Sequence, residues 1–106
     1  STQILDAREI RAIAKAYQQS GTVTHLLTPQ QTSQSNGFLQ ESLAWYDRLP
    51  EQRFIPERID SWLGLAMVSE ETGNEADADK YYEQSRAYVE ASFGKQHEYY
   101  ANMLFA

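Results

Sequence analysis

Residues 62–94 read WLGLAMVSEETGNEADADKYYEQSRAYVEASFG, and this stretch decides the fold. With Ile59 just upstream, Trp62, Leu63, Ala66 and Val68 recur at helical rather than strand spacing, and Ala78, Tyr81, Tyr82, Ser85 and Val89 do the same further on. Gly73-Asn74 separates the two runs. Glycine takes the left-handed conformation that closes a helix, and asparagine accepts from the free N–H groups that open one. Glu75 and Asp77 then fall in a first turn, where negative charge suits the helix dipole. The stretch predicts a helix, a sharp turn and an antiparallel helix.

Working outward, Pro50 ends a preceding helix, and Pro56 suits the first turn of the helix over residues 56–72. The next helix runs from Glu75 to about Ser92. Phe38, Leu39, Ser42, Leu43, Tyr46 and Leu49 form a wide apolar stripe that predicts a helix over 37–49. A first helix is expected over 2–20, with Ile10, Ile13, Ala14 and Tyr17 on its apolar face and Gly21 as its stop. Residues 22–36, TVTHLLTPQQTSQSN, are polar, carry Pro29 and lose helical periodicity in their second half, so a long loop is expected there; Val23, His25, Leu26 and Leu27 are the part expected to pack, extending the first helix pair or forming one short turn. A fifth helix is expected from Gln96, ending in mid-pattern at Leu104-Phe105-Ala106 as a cut or capping helix. The fold class expected is all-α, a single domain over 1–106.

Fifteen acidic against nine basic residues give a formal charge of −6. That balance argues against nucleic acid, whose phosphates call for a basic surface, and against anionic membranes. No apolar run approaches the ~20 residues of a membrane span. With no cysteine, a disulfide framework and a thiolate metal site are excluded, while the compartment stays open with the cytoplasm as default. His25 and His97 have no partners at zinc-site spacing, and no phosphate loop, dinucleotide fingerprint or nucleophile elbow occurs. Glu75, Asp77 and Asp79 alternate as in a calcium loop but lack its glycine and terminal glutamate, so they read as a solvated helix face. Neither metal nor cofactor is expected, and no converging catalytic set points to an enzyme. Tyr81, Tyr82, Tyr88, Tyr99 and Tyr100 are dense; Tyr82 is expected in the core, and helix geometry keeps the others from all sharing its face.

Trp62, Leu65-Ala66, Gly73, Ala78 and Tyr82, in that order, resemble the tetratricopeptide repeat (TPR) family. Ser69 stands where the family usually has tyrosine and Ser85 where it has alanine. Ile13-Ala14, Tyr17 and Gly21 resemble the first helix of another repeat. Their offset from Leu65-Ala66 and Gly73 far exceeds the ~34-residue period, which places an insertion in residues 22–36. Residues 92–98, SFGKQHE, with Ala101 and Leu104 resemble the kinesin-light-chain subtype. The resemblance implies antiparallel helix pairs stacked as a short superhelix, the first pair interrupted by a loop, and a role in protein–protein interaction.

In that family the first helices of successive pairs line a concave groove that holds peptides. The residues this implies are Arg8, Arg11, Lys15 and Gln18 on the first helix, Asp60, Leu63, Met67 and Glu70 on the third, and Asn102 and Phe105 on the last. Spacings of three and four put each set on one helix face. Arg8, Arg11 and Lys15 would supply charge for an acidic or C-terminal carboxylate segment, although the family's partner asparagine and lysine on the next repeat are missing. Leu63, Met67 and Phe105 would supply apolar contact. A protein or peptide partner is thus expected. The alternatives are a homo-oligomer stacking through Leu104-Phe105 and, less favoured, a small-molecule sensor or enzyme domain.

Overall fold

The computed structural model describes residues 4–50 and 54–94. The expected fifth helix, with His97, Asn102, Leu104 and Phe105, lies outside the described residues. Within them the chain is all-α: α1 Ala7–Leu27, α2 Thr32–Tyr46, α3 Pro56–Glu71 and α4 Glu75–Phe93. No helix among the described residues is long and apolar enough to cross a membrane.

The first half corrects the sequence reading. α1 opens later than Thr2, on a capping box in which Asp6 accepts from the Glu9 N–H at 2.9 Å and Glu9 accepts from the Asp6 N–H at 3.0 Å. It then runs straight through Gly21 to Leu27, so Gly21 is no stop. α2 begins at Thr32, and the loop expected over 22–36 shrinks to the short link between Leu27 and Thr32 around Pro29. The reason is packing. Gly21 is buried where α1 meets α2, and a Cβ there would lie 2.7 Å from Leu39 Cγ. The missing side chain lets the two helices approach, and buried Ser35 donates to the Gly21 carbonyl at 2.8 Å. The polar threonines that resembled a loop satisfy their hydroxyls locally: Thr22 within α1 donates to the Gln18 carbonyl, and the C-cap Thr28 to that of Thr24. The length assigned to an insertion is thus taken up by the end of α1 and the start of α2, and Val23, Leu26 and Leu27, expected to pack, are exposed.

The second half follows the local signals. Pro56 stands at the start of α3. Beyond Glu71 the Asn74 N–H reaches the Ser69 carbonyl at 2.8 Å and the Gly73 N–H that of Glu70 at 3.0 Å, with Gly73 at φ +78°. This is a Schellman closure, in which the left-handed residue favours glycine. Asn74 then accepts from the Asp77 N–H at 3.1 Å and opens α4.

α1 packs on α2, α2 on α3 and α3 on α4, and α1 also touches α3. One apolar cluster gathers Leu39, Leu43, Trp62, Leu65, Ala66, Val68, Ala78 and Tyr81; a second gathers Ile10, Ala14, Tyr46, Leu49 and Ile55. Tyr82, expected in the core, is only half-buried; Tyr81 takes the inward place, in register with Ala78 and Ser85. Serines fill the crossings where bulk would not fit: Ser35, Ser42, Ser61 and Ser85 are fully buried. Ser85 satisfies its hydroxyl locally, on the Tyr81 carbonyl.

Candidate functional site

A hydrogen-bonded chain through the core joins three helices. Gln18 Nε2 on α1 donates to the Glu57 carbonyl at 2.6 Å and to Ser61 Oγ at 2.8 Å, both on α3. Ser61 Oγ lies 2.8 Å from Ser42 Oγ on α2, and Ser42 donates onward to the Leu39 carbonyl at 2.6 Å. Because the Ser42 proton is committed to that carbonyl, the Ser61 hydroxyl is left to donate to Ser42. The chain therefore has one direction, and each hydroxyl both accepts and donates. Tyr46 OH closes it from below, 3.4 Å from Gln18 Oε1. Burial, reinforced by the charges of Glu57 and Asp60 and opposed by Arg11, pushes the Tyr46 phenol up to about 12. It stays a neutral donor in the folded protein.

Above this chain lies a cleft of about 350 Å³ between α1 and α3, lined by Lys15, Gln18, Gln19, Thr22, Val23 and Asp60. Lys15 and Asp60 are both exposed at its walls. Partial burial, and then the negative charge of Glu57, raises the Asp60 carboxyl above its usual range. At the far end His25 Nε2 of α1 meets Glu71 Oε2 of α3 at 2.5 Å. The two helices are thus tied at two points, through Gln18 and through His25, with the open cleft beside them.

Of the residues singled out in the sequence, Lys15, Gln18 and Asp60 come together in this cleft. Gln18 is its floor rather than an open groove residue, buried and spent on α3. Arg8 and Arg11 are exposed on α1 towards its start and do not line the cleft. On α3, Leu63 is half-buried, Met67 is exposed, and Glu70 accepts from Tyr82 OH at 2.8 Å. Asn102 and Phe105 lie outside the described residues. Gln19, Thr22 and Val23 went unread as lining residues. A helix continued past Gly21 would have put Thr22 on the Arg11–Lys15–Gln18 face by its spacing alone.

A second cleft, about 410 Å³, opens between α2, α3 and α4, with Gln40, Asp47, Arg58, Trp62, Lys80 and Tyr81 among its walls. Its polar groups are largely engaged with one another. Arg58 pairs with Asp47 at 2.8 Å and lies over the Trp62 and Tyr88 rings, and Gln40 Nε2 donates to Tyr81 OH at 2.7 Å. Among the described residues no group of three or more His, Cys, Asp or Glu side chains is placed to hold a metal ion.

No known family's model matches the chain, and neither a characterised protein nor a solved structure matches it.

Proposed function

We propose that this chain is a non-catalytic interaction module of two antiparallel helix pairs, stacked side by side in the manner of tetratricopeptide repeats, which holds a segment of a partner protein between α1 and α3. The stacking is supported by the order of the contacts. Gln18 meets Glu57 and Ser61 early in α3, and His25, two turns further along α1, meets Glu71 at the end of α3. The two first helices of the pairs then run alongside in the same sense. Across α3 and α4 the sense reverses, since Trp62 packs on Tyr88 and Glu70 bonds Tyr82. Across α1 and α2 it reverses too, as Tyr46 reaches Gln18 while Ser35 reaches Gly21.

The observation that carries the functional reading is the cleft itself. It lies between the first helices, its floor is rigidified by a buried hydrogen-bond chain, and its walls hold opposite charges on opposite helices, Lys15 and Asp60. A preformed groove of this kind binds with little ordering cost on its own side. Its one hydroxyl, Thr22, is occupied by the Gln18 carbonyl, which suits recognition rather than nucleophilic chemistry. Opposed charges also give a bound segment a preferred polarity.

The experiment is to select peptide ligands for the domain from a display library and measure their affinity for Lys15→Glu and Asp60→Lys. Both side chains are exposed, so the fold tolerates the changes. Each substitution is expected to weaken the selected peptides by about tenfold, a loss of ~1.4 kcal/mol. Peptides that bind both variants as tightly as the parent would overturn the proposal.

A further inference from the structure

Where α1 and α3 end, exposed aliphatic side chains continue past the cleft; Val23 stands at the cleft's edge, and Leu26, Leu27 and Met67 are not used by the proposed function. Leu26 is 68% exposed, Leu27 75%, and Val23 and Met67 50% each. The His25–Glu71 pair brings this end of α1 to the end of α3, where Leu26 stands one turn past the cleft residue Thr22 and Met67 one turn before Glu71. Scattered exposed leucines are ordinary, but a group at one end of a domain signals a contact surface.

Charge says what would cover it. Residues 16–40 contain no Asp, Glu, Lys or Arg, so the α1 side of the patch is neutral. On the other side, between Arg58 and Lys80, every charged residue is acidic: Asp60, Glu70, Glu71, Glu75, Asp77 and Asp79. The last five flank the end of α3 and the start of α4. The surface is therefore aliphatic at its centre and negative along one edge, a combination that repels anionic lipid.

We infer that this end of the domain docks a basic amphipathic helix of a partner, with the aliphatic stripe of that helix on Val23, Leu26, Leu27 and Met67 and its lysines or arginines along the Glu70–Asp79 edge. Helix-in-groove recognition takes this form, apolar anchors giving affinity and flanking charge giving register. The surface adjoins the cleft at Val23, while Leu26, Leu27 and Met67 lie beyond it towards the ends of α1 and α3.

The test uses two fluorescein-labelled eighteen-residue helical peptides with leucines spaced by three and four. One carries lysine on its polar face and the other glutamate. Anisotropy is read at about 0.15 M salt, where exposed charges are partly screened. The lysine peptide is expected to bind and the glutamate peptide not to. Leu26→Ser/Leu27→Ser, which alters only exposed side chains, is expected to weaken the lysine peptide at least about tenfold. Lys15→Glu/Asp60→Lys is expected to leave it unchanged, which separates this surface from the cleft. Four results overturn the inference: no binding by either peptide; equal binding of both; lysine-peptide binding unaffected by the Leu26/Leu27 substitutions, which would reduce the effect to bulk charge; or binding lost in the Lys15/Asp60 variant. A labelled copy of the domain that self-associates through the patch, and loses this in the Leu26/Leu27 variant, would give the surface to a second copy and also overturn it.

Discussion

Alanine at Gly21 and alanine at Gly37 should move stability in opposite directions, although both glycines lie inside helices. In the interior of a helix, replacing glycine by alanine is worth about 1 kcal/mol through reduced chain entropy and better propensity. At Gly37 no atom stands within 4 Å of the added Cβ, so that gain should appear in full. At Gly21 the new Cβ would sit 2.7 Å from Leu39 Cγ, 2.9 Å from its Cδ2 and 3.2 Å from its backbone nitrogen. Contact between carbons is comfortable at about 3.5–4.0 Å, so the helices must part by several tenths of an ångström or more. Leu39 cannot swing aside, because it is itself fully buried and also lies against Gly64. Overpacking of this kind costs about 1–3 kcal/mol. Set against the propensity gain, the net loss at Gly21 is about 1 kcal/mol, and the two variants should differ by about 2 kcal/mol. For a domain of this size each kcal/mol moves the melting temperature by roughly 4–8 °C. Urea denaturation followed by circular dichroism reads the difference directly. If Gly21→Ala proves as stabilising as Gly37→Ala, Gly21 does not sit at a tight α1–α2 crossing, and the continuous α1 loses its physical explanation.

Other consequences follow from the buried chain. Gln18→Ala removes the donor shared by the Glu57 carbonyl and Ser61 Oγ, and should destabilise by about 1–3 kcal/mol, since acceptors are left buried without it; a neutral result in urea denaturation would mean that the chain does not hold α1 to α3. Tyr46 is raised to about 12 when folded and titrates near 10 when unfolded, so its contribution is present below pH 10 and fades as pH rises towards 12. Two pH units correspond to at most ~2–3 kcal/mol, and Tyr46→Phe should flatten the decline of stability across that window when urea midpoints are compared. Asp60 is likewise raised, by burial and by Glu57, so its ionised form opposes folding as pH climbs through the carboxylate range. Asp60→Asn should therefore be neutral to slightly stabilising at pH 7 in thermal melts, with the advantage vanishing in acid.

How far the sequence could be read depended on whether its signals were local. The α3–α4 turn was legible because a closing glycine, a capping asparagine and first-turn carboxylates act on neighbouring backbone groups. Gly21 was misread because a glycine that ends a helix and one that lets two helices touch look alike until the partner, Leu39, is known. The Thr- and Gln-rich run after it compounded the error, since propensity is a weak prior that tertiary contact overrides. For the site, the resemblance to tetratricopeptide repeats brought Lys15, Gln18 and Asp60 forward, and the three line one cleft. Their roles were not legible. A polar side chain on a polar face gives no sign that, like Gln18, it turns inward to bond a carbonyl on another helix. Val23 and Thr22 were lost with the helix that carries them.

The claim that a partner segment lies between α1 and α3 is tested most directly by the amide resonances of the labelled domain on titration with a selected peptide. Shifts concentrated at Lys15, Gln19, Thr22, Val23 and Asp60, with little change along α4, are the predicted result. Shifts confined to the α2–α3–α4 cleft around Lys80 and Tyr81, with the α1 resonances unmoved, would contradict it.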